Sequence, residues 1–298
     1  MEKNTDDIKM AKLDKSSEKA SQFKEMFGML IKNRAALVGM IIIIFLIIIA
    51  FAGKLIEPFD PNVGQLSDSL QSPSSVHLLG TDEQGRDILS RIIDGASISL
   101  RVGVTSVSFA LTIGIILGSV AGYYGKKVDM IIMRIMDMIL AFPSLLLAIA
   151  FMTALGRGID KAIIAISIVT IPEYARIVRS SILSIKESEY VQAAKVIGNK
   201  DSAIIFKHIL PNVISPIVVR ATLGISSAIL DTAALGFLGL GVQPPAAEWG
   251  SMLGSGRTYF FNAPHIVLFP GIAITITVLA FNLFGDGLRD ALDPKLRN

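Results

Sequence analysis

The residues of this chain that could do chemistry are charged side chains set within or beside greasy runs. Arg134 and Asp137 stand three apart, as do Glu173 and Arg176, and Asp286 and Arg289. Asp231 lies deep in the run Val213–Leu240, eleven residues after Arg220. An ion in hydrocarbon is costly, so such groups neutralise one another or line a wet path. A spacing of three puts two side chains on one helix face, where opposite charges pair. Local neutralisation is therefore the expectation for the three close pairs. Eleven residues is about three helical turns, which puts Arg220 and Asp231 on one face without direct contact. Arg220 is expected to snorkel or to face a partner, and Asp231 is the candidate for lining a translocation path.

Other chemistries fail on spacing. Gly53-Lys54 and Gly125-Lys126 lack the Ser/Thr and the upstream glycine of a phosphate-binding loop, so no ATP hydrolysis and no cofactor are expected on this chain. His77, His208 and His265 are far apart and cysteine is absent, so no metal site and no disulfide follow. GTDEQGRD, Gly80–Asp87, holds three acids, but its Gly and Gln break the spacing of a calcium loop. It is expected to dock a partner. Net charge is +3 with scattered basic residues, which speaks against a nucleic-acid partner.

These groups sit on a 298-residue chain with 52% hydrophobic and 18% charged residues and a mean hydropathy of +0.60. AALVGMIIIIFLIIIAFAG, Ala35–Gly53, is 19 uncharged residues between Arg34 and Lys54. A helix of that length nearly spans a hydrocarbon core of about 30 Å, and it is apolar all round. A secretory leader would sit closer to the N-terminus with a shorter apolar core, so a membrane anchor is expected. Five further greasy runs follow: 102–125, 138–156, 162–185, 213–240 and 265–285. The expectation is an all-α polytopic membrane protein with six transmembrane helices.

Around the spans the chain divides into a charged arm (1–34), the first helix (35–53), a wet turn-rich segment (54–96), a five-helix body (97–287) and a tail (288–298). The arm is expected to be partly helical near Ser21–Asn33. Gly103, Gly114, Gly118 and Gly122 fall nearly on one face and predict close helix packing. Trp249, at the end of the rigid outer turn Gln243–Trp249, is expected to anchor at the membrane interface. With the N-terminus in the cytoplasm, twenty Lys/Arg fall on inner segments and six on outer ones, the bias that sets orientation. Both termini and the stretch Glu189–Asn212 are then cytoplasmic.

That stretch, EYVQAAKVIGNKDSAIIFKHILPN, is the wet exception in the second half of the chain. Tyr190, Ala193, Ala194 and Ile197 fall on one helix face. Ser188 or Glu187 is placed to begin the helix, and Gly198-Asn199 to stop it, since both of the latter tolerate a left-handed cap. Asp201 is a plausible N-cap for a second helix, which Pro211 ends. The result is two short helices joined by a sharp turn. Alanines on an exposed face let another surface approach the backbone, as in a knob that fits a groove.

The segment resembles the EAA loop of ABC importer permeases, whose pattern is Glu-Ala-Ala, three residues, Gly, nine residues, Ile-x-Leu-Pro. Gln192-Ala193-Ala194, Gly198 and Leu210-Pro211 keep the family spacing. Gln192 stands where the family has Glu, with Glu189 one turn earlier, and His208 stands where Ile is usual. HLLGTDEQGRDILSRIIDGASISLRVGV, LGFLGLGVQPPAAEWGSMLGSGRTYF and LAFNLFGDGLRDALDPKLR resemble the C-type permease subunit of dipeptide and oligopeptide ABC importers, from about residue 25 to the end. Ala96 and His265 depart from the family's usual Arg and aromatic. The resemblance implies a type I ABC importer permease in a bacterial inner membrane, one half of a heterodimeric pore. It implies a second homologous permease, two separate ATPase subunits that carry ATP and Mg, a substrate-binding protein outside and a peptide cargo, with lipid around the spans. It implies that Glu189, Tyr190, Gln192, Ala193, Ala194, Gly198, Leu210 and Pro211 couple to the ATPases, within a loop bounded by 186 and 212. Nickel-chelate importers share these patterns, and Asp231 in ILDTAALGFLGLG leans toward the dipeptide branch. An ion-coupled secondary transporter would need intramembrane acids at mid-depth, for which Asp231 is the candidate. A non-transporting scaffold or receptor would bind partners without flux.

Overall fold

The computed structural model describes residues 27–292. It is built of helices and loops, with no strand among the described residues and an isolated β-bridge between Thr81 and Asp87. Most of the charged arm and the end of the tail lie outside the described residues. Nine helices matter here: α1 Arg34–Ile56, α2 Ile88–Tyr124, α3 Lys126–Leu140, α4 Ser144–Leu155, α5 Ile159–Ile185, α6 Glu189–Val196, α7 Ile214–Phe237, α8 Trp249–Gly256 and α9 His265–Leu292.

Side-chain caps start several of them. Asn33 accepts from the N–H groups of Ala35 and Ala36 at the head of α1, and Asp87 accepts from Ser90 N at the head of α2. Each fills a donor that has no partner within the helix. α2 has 37 residues, about 55 Å, well beyond a hydrocarbon core. Its first turns therefore extend out of the span. The wet segment is irregular only as far as Asp87, and helix begins at Ile88, ahead of the boundary expected at 96.

Four helices (α1, α2, α7 and α9) are long and apolar enough to cross a membrane. The expected third span is not one rod. It is α3 and α4, bent by 89° across Ala141–Pro143, and the pair makes a fifth crossing if counted as one. Pro143 disfavours helical backbone at the residue before it, so α3 cannot run on. α3 itself is amphipathic, with Lys126, Lys127, Asp129, Arg134 and Asp137 within its fifteen residues. The fourth expected span is α5, continuous through the buried Pro172, with the length to cross but too many charges to meet the same apolarity.

The packing is most extensive between α2 and α5. A Cβ at Gly118 would sit 2.5 Å from the carbonyl oxygen of Ala175, and one at Gly114 would sit 2.4 Å from the Cβ of Tyr174. The glycines let two backbones meet directly. Gly103, expected on the same face, meets Ile229 of α7 instead. One apolar core joins α2 to α5 and α7, and a second joins α1, α2, α7, α8 and α9.

Candidate coupling segment and translocation groove

The segment after α5 is a compact finger. α6 runs from Glu189 to Val196 behind Ser188, whose side chain makes no cap hydrogen bond. Gly198 has φ +84°, a conformation that costs an L side chain strain. Asn199 N donates to Ala194 O at 3.2 Å and Gly198 N to Lys195 O at 2.9 Å, the two bonds of a Schellman closure. The chain returns through a short helical run, Asp201–Asn212, with a six-residue π stretch at Ile204–Ile209. Lys200, not Asp201, occupies its cap position. Asp201 instead accepts from Tyr123 Oη of α2 at 2.8 Å.

The finger's base is apolar. Val191, Ala194, Ile204, Ile205, Ile209 and Leu210 pack against Val178 and Ile182 of α5 and Ile217 of α7. Of the expected coupling residues, Glu189, Tyr190, Ala193, Gly198 and Pro211 are exposed, whereas Ala194 and Leu210 are buried. The two alanines do not share an outer face, because Ala194 turns inward to seat the finger. Gln192 folds back, donating from Nε2 to Glu187 Oε2 at 2.9 Å and to Lys186 O at 3.3 Å. A Glu at this position would have no proton to give. Sequence reasoning passed over Val196 and Phe206 and named Ile197 only as a face residue. Val196 and Ile197 are 87% and 81% exposed, and Phe206 is exposed too. The signal was there in two bulky apolar residues directly before the glycine stop of a short wet helix.

The charges near the spans pair between helices, not within them. Asp137 of α3 binds Arg176 of α5 at 2.6 Å, and Asp129 of α3 accepts from Arg179 Nη2 of α5, also at 2.6 Å. Glu173 of α5 is paired with Arg220 of α7. None of the three expected local pairs is among the salt bridges of the described residues. For Asp137, Glu173 and Arg176 the reason is geometric, since each meets an opposite charge on a neighbouring helix; Arg134, Asp286 and Arg289 are exposed. The Arg220 side chain keeps 30% of its surface exposed beside Glu173. A cavity of about 330 Å³ opens beside this pair, lined by Thr170, Glu173, Tyr174, Arg220, Ser227 and Asp231 among others. Arg220 and Asp231 do share a face, and that face is the wall of the cavity.

Two expectations for the loops away from the finger change. GTDEQGRD is largely folded into itself. Asp82 accepts from Arg86 Nε at 2.7 Å, Asp87 accepts from Ser90 N and Oγ at 2.8 Å, and Asp82, Arg86 and Asp87 are all buried. Only Gln84 in it is exposed and Glu83 half so, which leaves little of it to dock a partner. Arg91 donates from Nη1 to Pro61 O at 2.7 Å and to Pro245 O at 3.3 Å, tying the loop to the turn before α8. Trp249 is 1% exposed rather than an interfacial anchor, and its Nε1 donates to Ile92 O at 3.1 Å above Gly95. A buried indole needs such an acceptor, and the glycine makes room for the ring. Glu248 caps α8, accepting from Gly250 N and Ser251 N at 2.8 Å. Burial pushes its carboxyl up to about 7, against the pull of those two N–H groups.

Residues 114–298 match the family described as binding-protein-dependent transport system inner membrane component, and residues 21–73 match the N-terminal TM domain of oligopeptide transport permease C. The chain belongs to this family of transport permeases. It is 51% identical over 278 residues to the dipeptide transport system permease protein DppC of Alkalihalophilus pseudofirmus, covering 93% of this chain and 91% of that one. It is 46% identical to the di/tripeptide transport system permease protein DppC of Pseudomonas aeruginosa, covering 93% and 94%. It is 45% identical to the glutathione transport system permease protein GsiD of Pectobacterium atrosepticum, covering 93% and 92%. A chain of the inward-facing MetNI methionine ABC transporter aligns with a TM-score of 0.56 at 20% identity, over 69% of this chain and 98% of that one. That likeness is one of fold, the type I ABC importer permease.

Proposed function

We propose that this permease forms half of the pore of an ATP-driven peptide importer, its N- and C-termini in the cytoplasm. A second homologous permease completes the pore, two ATPase subunits bearing ATP and Mg drive it, and a binding protein delivers peptide from outside. The observation that carries this reading is the finger: a rigid, self-closed helical turn with bulky apolar side chains exposed at its tip. Exposed apolar surface of this kind marks a docking site. Its base is packed on α5 and α7, the helices that wall the cavity holding Asp231. A closed ATPase pair that grips the finger thus has a mechanical route to the groove, and a ligand that favours one of two states shifts the population toward it. The names of the relatives support peptide as the cargo.

The test is co-purification with the partners encoded alongside this chain, followed by ATP-dependent peptide uptake in proteoliposomes. Recovery of a second permease and two ATPases, with uptake that stops on vanadate, is expected. The variant Ala193→Trp places bulk on the outer face without disturbing the buried base, and is expected to release the ATPases while still inserting. Uptake that survives vanadate and collapses with an uncoupler would refute the reading in favour of an ion-coupled carrier.

A further inference from the structure

The cavity beside Glu173 and Arg220 holds charge of both signs, sorted by depth. Asp231 and Arg220 lie on one face of α7, eleven residues apart, which is about 16 Å along the axis. Asp231 has no ion-pair partner among the described residues. Arg220 has one, Glu173, and both side chains of that pair remain accessible, at 30% and 41% exposure. Arg220 also borders a second cavity of about 450 Å³, lined with Asn212, Ser215 and Arg289 where α7 leaves the finger. The Arg220 side chain therefore lines both cavities.

We infer that the groove recognises the two charged ends of a short peptide, its α-ammonium at Asp231 and its α-carboxylate at Arg220, where the carboxylate replaces Glu173. The inference rests on the peptide-importer reading and specifies the cargo: peptides with both termini free. Three features support it. An acid without a partner in a low-dielectric wall is a ready site for an ammonium ion. Arginine presents a planar fork that suits a carboxylate, and the exchange of Glu173 for a cargo carboxylate keeps the guanidinium paired throughout. The spacing limits length. An extended peptide advances about 3.3–3.6 Å per residue, so 16 Å is about five residues at most, and fewer once both side chains reach into the cavity. When the carboxylate takes Arg220, Glu173 is released, and the link between α5 and α7 across the groove opens at the moment it is filled.

The experiment uses the whole complex in proteoliposomes with its own binding protein. ATP-driven uptake is measured for alanyl-alanine, its C-terminal amide and its N-acetyl form, in the unsubstituted complex and in the Arg220→Gln, Arg220→Lys and Asp231→Asn variants. The binding protein is the same in every arm, so its own preferences cancel when variants are compared. Arg220→Gln is expected to lower the kcat/KM ratio of free acid to amide about tenfold, the loss of a charge-assisted contact, and Arg220→Lys to restore most of it. Asp231→Asn is expected to lower the ratio of free amine to N-acetyl form by a similar factor. If Arg220→Gln slows all three peptides by one common factor, its pair with Glu173 is structural, and if Asp231→Asn does so, Asp231 is structural; either result overturns the inference. Unchanged ratios also overturn it. An unsubstituted complex without ATP-driven uptake of any peptide would refute the importer reading itself, and this inference with it.

Discussion

The sharpest prediction concerns Val196 and Ile197 at the tip of the finger. They are 87% and 81% exposed, so little of either side chain contributes to the fold. Truncating both to alanine removes two carbon groups from Val196 and three from Ile197. Each methyl or methylene group is worth about 0.8 kcal/mol when fully buried; scaled by the 87% and 81% of the side chains left exposed, a partner that fully covers the tip loses about 3 kcal/mol of binding. That is roughly a hundredfold in affinity. The fold should lose almost nothing, because exposed substitutions usually stay within about 0.5 kcal/mol. Neither residue donates a side-chain hydrogen bond, and the Schellman closure uses only backbone. The assay is titration of the purified ATPase subunits onto the permease pair in nanodiscs, with the melting temperature of the pair measured in parallel. A hundredfold weaker Kd at an unchanged melting temperature is expected. A Kd within twofold of the parent would refute the assignment of the tip as the docking surface, and a large fall in melting temperature would show that the two side chains hold the fold instead.

Three further outcomes follow from particular contacts. Gln192→Glu puts a second carboxylate beside Glu187, where Nε2 now donates at 2.9 Å, and should destabilise the finger by about 1 kcal/mol; amide exchange across 187–199 should quicken, and a second change, Glu187→Gln, should reverse it. Gly118→Val drives atoms into the carbonyl of Ala175, 2.5 Å from where a Cβ would lie, and should cost about 1–3 kcal/mol, read as a fall in melting temperature. Glu248 gives a pH effect whose sign is fixed. Burial lifts its carboxyl from the ordinary 4.5 to about 7, so the folded chain keeps a proton that the unfolded chain releases in between. Its stabilisation is complete below about pH 4.5 and is lost as pH rises through about 7, by up to about 3 kcal/mol. In Glu248→Gln that loss is absent, so the melting temperature of the variant relative to the parent should climb between pH 4.5 and 7.

What could be read from the sequence was local or periodic. Uninterrupted apolar runs announce α1, α2 and α9 by length alone, and Gly198 announces the turn of the finger, because that left-handed position favours glycine. What stayed hidden was set by tertiary neighbours. Spacing can say that Asp137 and Arg134 share a face, but not that Arg176 of another helix offers Asp137 a better partner. Trp249 reads equally well as an interfacial anchor or as a core residue until Gly95 is seen to clear a space for it. The elbow at Pro143 was in plain sight, yet the hydrophobic run continues straight through it, and hydropathy has no term for direction. Asp231 sits in the wall of a cavity, and that cavity depends on α3 and α5, which no one-dimensional pattern brings together.

The backbone closure at Gly198 has a consequence for how the assembly is put together. A recognition element that is already in its bound shape gives up little freedom on capture, so most of the contact energy goes into holding the partner. Encounter then needs no refolding step, and two such bodies can meet and separate quickly. On the proposed docking reading, the finger can release an ATPase and bind one again without itself unfolding.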